Sequence, residues 1–220
     1  MPRTSRASRG GYVYHVLNRG NGWSDIFHQE EDFAAFVGLI REANDKVPMR
    51  VTGYCLMANH FHLLVWPKKD GDLSRWMQWL LTAHVRRYHR QYQGSGHVWQ
   101  GRFKAFPVQS DNHYLTALRY IEANPLRANL VHRSQDWEWS SLKPTSAADP
   151  AGLLSDGPVP KPSQWTRLVN AAQNEAELKA LRHSLDRGTP FGAPAWQMKA
   201  AKILGLESSL RPRGRPKKEK

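Results

Sequence analysis

The chain is 220 residues long, with a formal net charge of +13 and a single cysteine, Cys55. That length fits one ordinary domain plus an extension, and one cysteine excludes an internal disulfide or a multi-cysteine zinc site. With no run of about 18 apolar residues and no apolar signal stretch, the sequence reads as intracellular, and its positive excess favours nucleic acid ahead of acidic lipid.

Gly11–Asn18 alternates Tyr12, Tyr14 and Val16 with Val13, His15 and Leu17, which predicts a strand ending at Arg19-Gly20. Glu30–Val47 carries Phe33, Phe36, Val37, Ile40 and Ala43 at helical spacing, with acids in the first turn and Pro48 just beyond. Met49–Met57 and His60–Trp66 are apolar runs separated by Ala58-Asn59, the length of a tight hairpin, although Ala is a poor choice where φ must be positive. Leu73–Tyr92 predicts a long helix with Leu73, Trp76, Met77, Leu80, His84 and Tyr88 on one face. A glycine-containing loop, 93–101, precedes a strand over 103–108. Asp111 is placed to cap a helix that ends or kinks near Pro125.

Strand–helix–strand–strand–helix–strand is the ferredoxin-like, RRM-like order, an α+β fold with the third strand central and beside the first. Residues 143–163, with five prolines and two glycines, read as a linker. Helical stretches at 174–187 and 194–206 form an extension over 164–207. The tail 208–220 holds six Lys/Arg against one Glu and reads as a disordered electrostatic anchor. Residues 1–142 are therefore expected to form the main domain, the one that holds the three segments compared below.

His60-Phe61-His62 lies in the predicted third strand, where residues two apart share a face, so both imidazoles project together. Neighbouring imidazoles can hold a divalent metal, or can be an ordinary part of a core. In Tyr120-Ile121-Glu122-Ala123-Asn124-Pro125, a phenol and an amide stand one helical turn apart. Tyr120 can attack an electrophile and Asn124 can offer a carbonyl oxygen to a hard cation; equally, the pair can pack on the sheet and end the helix.

Three segments in this order resemble the HUH single-tyrosine transposases, and within them the REP-associated tyrosine transposase branch: 57–65 around His60-Phe61-His62, then Trp99-Gln100-Gly101-Arg102-Phe103-Lys104, then 120–128 from Tyr120 to Ala128. The resemblance extends from Asn18-Arg19-Gly20 to Arg211-Pro212-Arg213-Gly214-Arg215-Pro216. One departure is Ala58, where the family often has proline; it touches hairpin geometry and not chemistry.

The resemblance implies that His60, His62 and Asn124 are metal ligands and that Tyr120 is the nucleophile. The reaction would form a 5′-phosphotyrosine and free a 3′-hydroxyl with Mg²⁺ or Mn²⁺; ligand softness favours Mn²⁺ or a transition metal on the two imidazoles. Single-stranded or hairpin DNA at repeated extragenic palindromes would be the substrate. The setting would be the bacterial cytoplasm at the nucleoid, and the protein a monomer or homodimer.

Trp99, Arg102, Phe103 and Lys104 are expected to stack on bases and hold phosphates, with Arg19, Arg86, Arg87 and Arg127 adding to the groove; equally, Trp99 and Phe103 can be core and the helix arginines a solvated face. Arg213 and Arg215 would reach a minor groove from the tail. Two alternatives stand beside this reading: a module that binds structured nucleic acid without cutting it, and metal-dependent hydrolysis with water as nucleophile.

Overall fold

Period-two patterning builds a four-stranded antiparallel sheet from β1 (Val13–Arg19), β2 (Met49–Met57), β3 (His60–Pro67) and β4 (Lys104–Val108), in the order β2-β3-β1-β4. The computed structural model describes residues 8–142 and 152–211. Helices α1 (Glu30–Lys46) and α2 (Asp72–Tyr92) complete the ferredoxin-like βαββαβ order, so β3 is central and beside β1 as expected. After β4 come α3 (Asn112–Glu122), α4 (Asn124–Arg127), α5 (Trp165–Asn170), α6 (Glu175–Arg187), α7 (Pro194–Leu204) and α8 (Glu207–Leu210).

Alternation divides the interior into two cores. Tyr14, Val16, Phe61, Leu63 and Val65 face Phe36, Ile40, Trp76 and Leu80 of α1 and α2. Val13, Leu64 and Phe106 face the other way, onto Leu118, Tyr120 and Ile121 of α3 and Trp165, Val169 and Leu181 of the C-terminal helices. Helices 164–207 thus share a core with the sheet. Both sheet edges are also covered: Ser155 donates its backbone N–H to Val51 on the β2 side at 2.8 Å, and Phe191 donates to Pro107 on the β4 side at 2.8 Å. Covered edges cannot template further strand pairing.

The Ala58-Asn59 turn avoids the conflict foreseen for alanine, because neither residue has positive φ. Its carbonyls are held from outside the hairpin: Ala58 O accepts from Ile26 N at 2.8 Å and Phe27 N at 3.0 Å, and Asn59 O accepts from Gly20 N at 2.8 Å. This lashes the segment after β1 to the tip that carries His60. At the far end of the helical layer, the Asp32 carboxylate accepts from His28 N at 2.9 Å and from the Tyr92 hydroxyl, tying the start of α1 to the end of α2.

His84 of α2 is buried among Phe27, Phe36 and Trp99, and its Nδ1 has no hydrogen-bond partner. Burial pushes its pKa down to about 4, against the opposing pull of Asp32 and with a smaller push from Arg87. The unfolded chain binds this proton more readily, so stability is fully present above about pH 6.5 and is lost as pH falls toward 4. Urea unfolding at pH 7 and pH 4 should show His84→Phe losing less than the parent, by an amount on the order of 3 kcal/mol. Equal losses in both proteins would place the acid sensitivity elsewhere.

The expected contacts from Arg213 and Arg215, most of the basic tail, and residues 143–151 of the expected linker lie outside the described residues.

Candidate active-site groove

Strand β3 presents His60 and His62 on the face toward α3, with ring centroids 5.1 Å apart. Register brings in a third imidazole that the motif alone does not reveal. Leu17 of β1 lies opposite His62, so His15 is the diagonal neighbour on the same face. His15 Nε2 sits 2.8 Å from His62 Nδ1, and its own Nδ1 is buried without a partner. His60 Nδ1 is 2.6 Å from Asn59 Oδ1. Both members of the His-x-His pair therefore have Nδ1 engaged and Nε2 left for a ligand.

Burial governs the protonation of all three rings. The pKa of His15 falls to about 3, first from burial and then from the Arg127 cation. That of His60 falls to about 4, from burial and then Arg19. His62 is held well below its usual value by burial, then by His15 and His60. Neutral imidazoles are the form that binds metals. The donor set thus fits a divalent cation, although among the described residues no third His, Cys, Asp or Glu is placed to ligate a metal with the pair.

Helix α3 starts at the Asp111 cap, whose carboxylate accepts from His113 N at 2.8 Å, and it carries Tyr120 to this face. The Tyr120 ring centroid lies 5.9 Å from that of His62 and 6.2 Å from that of His15. All of this comes from one chain. Beyond Glu122 the helix breaks before Pro125, and Arg127 folds back onto the tyrosine. Its guanidinium carbon stands 4.0 Å from the ring centroid, while Nη2 donates to Tyr120 O at 2.6 Å and Nη1 to Gln173 Oε1 at 3.2 Å.

His60, His62 and Tyr120 line one groove of about 760 Å³, walled also by Arg19, Trp23, Gln100, Arg102, Lys104, Arg182 and Asp186. The expected DNA contacts Arg19, Arg102 and Lys104 are brought here. Other expected contacts are not. Trp99 pairs with Gly20, and its side chain turns inward onto Phe36, Phe61 and His84, so it is core and not a stacking platform. Phe103 is core as well. Their chain neighbours Gln100, Arg102 and Lys104 reach the groove instead.

Arg127 is spent inward on the tyrosine. Arg86 and Arg87 belong to α2, on the opposite face of the sheet, where they line a separate hollow with Arg75, Trp79 and Arg90. Asn124, expected as a third ligand, is not among the groove walls, and its Nδ2 is buried without a partner. Trp23, His15, Arg182 and Asp186 were not foreseen as site residues.

The family model described as "Transposase IS200 like" matches residues 9–124, more than half of the chain. The chain belongs to the IS200-like transposase family. That match covers the whole sheet, the His-x-His strand and Tyr120, but not Arg182 and Asp186 of the groove wall. A solved structure, a REP-associated tyrosine transposase bound to a REP hairpin, is similar in fold with a TM-score of 0.52. Its identity is 18%, over 71% of this chain and 92% of the other. No curated protein matches the chain in sequence. For an IS200-like transposase the groove has the parts that phosphodiester chemistry needs: a phenol, neutral imidazoles and flanking cations. No helix among the described residues is long and apolar enough to cross a membrane.

Proposed function

We propose that this transposase nicks and rejoins single-stranded or hairpin DNA through Tyr120. The observation that carries the reading is the placement of the Tyr120 ring 5.9 Å from His62 in a groove walled by Arg19, Arg102 and Lys104. The Tyr120 oxygen attacks phosphorus and forms a phosphotyrosine with the 5′ side. The bond to the 3′ oxygen breaks, and the phenol's proton is balanced by the new 3′-hydroxyl. One ester replaces another, so a free 3′-hydroxyl can reverse the step and join strands without an external energy source.

His60 and His62 would hold a divalent cation, Mg²⁺ or Mn²⁺, through their Nε2 atoms; Asn124, the third ligand the sequence suggests, would have to turn into the groove to join them. When bound, the cation supplies charge stabilisation to the phosphate oxygens. Arg19, Arg102 and Lys104 neutralise the backbone on either side, and Arg127 fixes the tyrosine. The hairpin held by the solved relative supports palindromic repeats as the target, and action at the nucleoid in the bacterial cytoplasm follows from such a substrate. Because one chain supplies every part of the groove, a monomer suffices.

A 3′-labelled hairpin oligonucleotide incubated with Mn²⁺ should yield a labelled covalent protein–DNA adduct through the 5′ phosphate, and a 5′-labelled one a shorter free product ending in a 3′-hydroxyl. Tyr120→Phe should give none while binding the hairpin within about threefold of the parent. Tight binding with no adduct from either protein would establish a binding module, and cleavage that survives Tyr120→Phe would establish water as the nucleophile.

A further inference from the structure

Trp23 combines three features that a structural residue has no reason to combine. It is 65% exposed although it is the largest side chain available, its backbone is left-handed at φ 68°, and it lines the catalytic groove. Exposed tryptophan forgoes burial, and a bulky residue at positive φ is strained. The surrounding chain nevertheless enforces that placement. Gly20 begins the short turn at 21–23, and a Cβ there would meet the Ser24 carbonyl oxygen at 2.1 Å, so only glycine fits. Trp23 N donates to Gly20 O at 3.2 Å. Asn59 Nδ2 donates to Trp23 O at 3.3 Å, and the same amide's oxygen lies against His60 Nδ1. The indole is thus referenced directly to the His-x-His strand.

Arg19 completes the arrangement. Its guanidinium carbon lies 3.2 Å from the Trp23 ring centroid, while Nε and Nη2 donate to Gln100 Oε1 at 3.3 and 2.9 Å. One side of the indole is therefore backed by a cation that is itself anchored, and the exposed remainder is available to a ligand in the groove. A flat aromatic surface backed by a fixed guanidinium is suited to an unpaired nucleobase, whose π-face stacks whatever its sequence.

We propose that Trp23, backed by Arg19, is the stacking platform for one unpaired base of the single-stranded flank next to the phosphate attacked by Tyr120. This rests on the function proposed above and adds where the flank runs: off the His60 end of the groove, past the turn after β1. The strain at Trp23 is retained because it aims the ring.

The test uses the full chain carrying Tyr120→Phe, so that binding is read without cleavage. Its ligand is a fluorescent hairpin with a short single-stranded flank, in parallel with a set carrying one abasic site at each flank position. Trp23→Ala should weaken binding of the intact flank about 10- to 100-fold, and Trp23→Phe should recover most of it. One abasic position should cause the same loss in the parent and no further loss in Trp23→Ala. Trp23→Gly, which relieves the left-handed strain, should lose binding equally while melting at or above the parent's temperature.

The inference is overturned if Trp23→Ala binds the flank within twofold of the parent, if every abasic loss adds to the alanine loss, or if Trp23→Gly lowers the melting temperature along with binding. Adduct formation by protein with Tyr120 intact, alongside an unaffected Trp23→Ala, would sink this inference alone. A parent with no affinity for any hairpin would remove the function reading as well.

Discussion

His62→Ala is expected to cut adduct formation by about 10³-fold while leaving hairpin affinity within about threefold. The asymmetry follows from geometry. His62 is 4% exposed and sits in the groove floor, whereas the groove cations Arg19, Arg102 and Lys104 stand on other strands and loops. Removing the ring takes away a proposed ligand and also the partner of His15. With His62 Nδ1 2.8 Å from His15 Nε2, only Nε2 of His62 remains for a cation, and that requires the Nδ1 proton to point at His15. His15→Phe keeps the ring shape and the contact with Phe106, whose centroid lies 4.9 Å away, but removes the acceptor. It should weaken Mn²⁺ binding about 10- to 100-fold, read by electron paramagnetic resonance without any DNA present. Unchanged Mn²⁺ affinity in both variants would mean that the cation, if used, binds elsewhere.

The fold was legible because its signals are local. Alternation through His60–Val65, helical spacing through α1 and α2, a two-residue interval at Ala58-Asn59 and the Asp111 cap each report on a few neighbouring residues. That His60 and His62 share one face of β3 was legible for the same reason. What was misread depended on contacts distant in sequence. Whether Trp99 or Gln100 faces the groove is decided by the bridge from Gly20 to Trp99. Arg127 turns inward because the helix breaks before Pro125 and leaves the Tyr120 carbonyl to be capped. Arg86 and Arg87 read as groove residues by charge, yet α2 packs on the other face of the sheet. His15 enters only through the β1–β3 register, and Arg182 and Asp186 only because α6 docks beside β4.

Glu122→Ala should be the most destabilising single change near the site, by about 3 kcal/mol. Glu122 is fully buried. Its Oε1 accepts from Ser141 Oγ at 2.8 Å and from Lys161 Nζ at 3.3 Å, and its Oε2 accepts from Trp165 Nε1 at 2.6 Å. Three separate segments are thereby pinned to the end of α3: the chain beyond the sheet, the strap at 152–163, and α5. Alanine strands the Trp165 N–H and the Ser141 hydroxyl in an apolar core, while Lys161, whose side chain is 37% exposed, can return to water. Glutamine preserves volume but sets an amide N–H against the indole N–H or against Ser141, so it should cost about 2 kcal/mol. Urea midpoints measure both values. Limited proteolysis tests the mechanism, since loss of the Glu122 anchor should open cleavage between 152 and 164 before the sheet unfolds. Adduct formation should fall as well, because Tyr120 is two residues upstream on the same helix and α6, which supplies Arg182 and Asp186 to the groove, follows α5 closely in the chain. A glutamine variant with parental stability and parental protease resistance would show that the carboxylate is not what fastens the C-terminal helices to the helix of Tyr120.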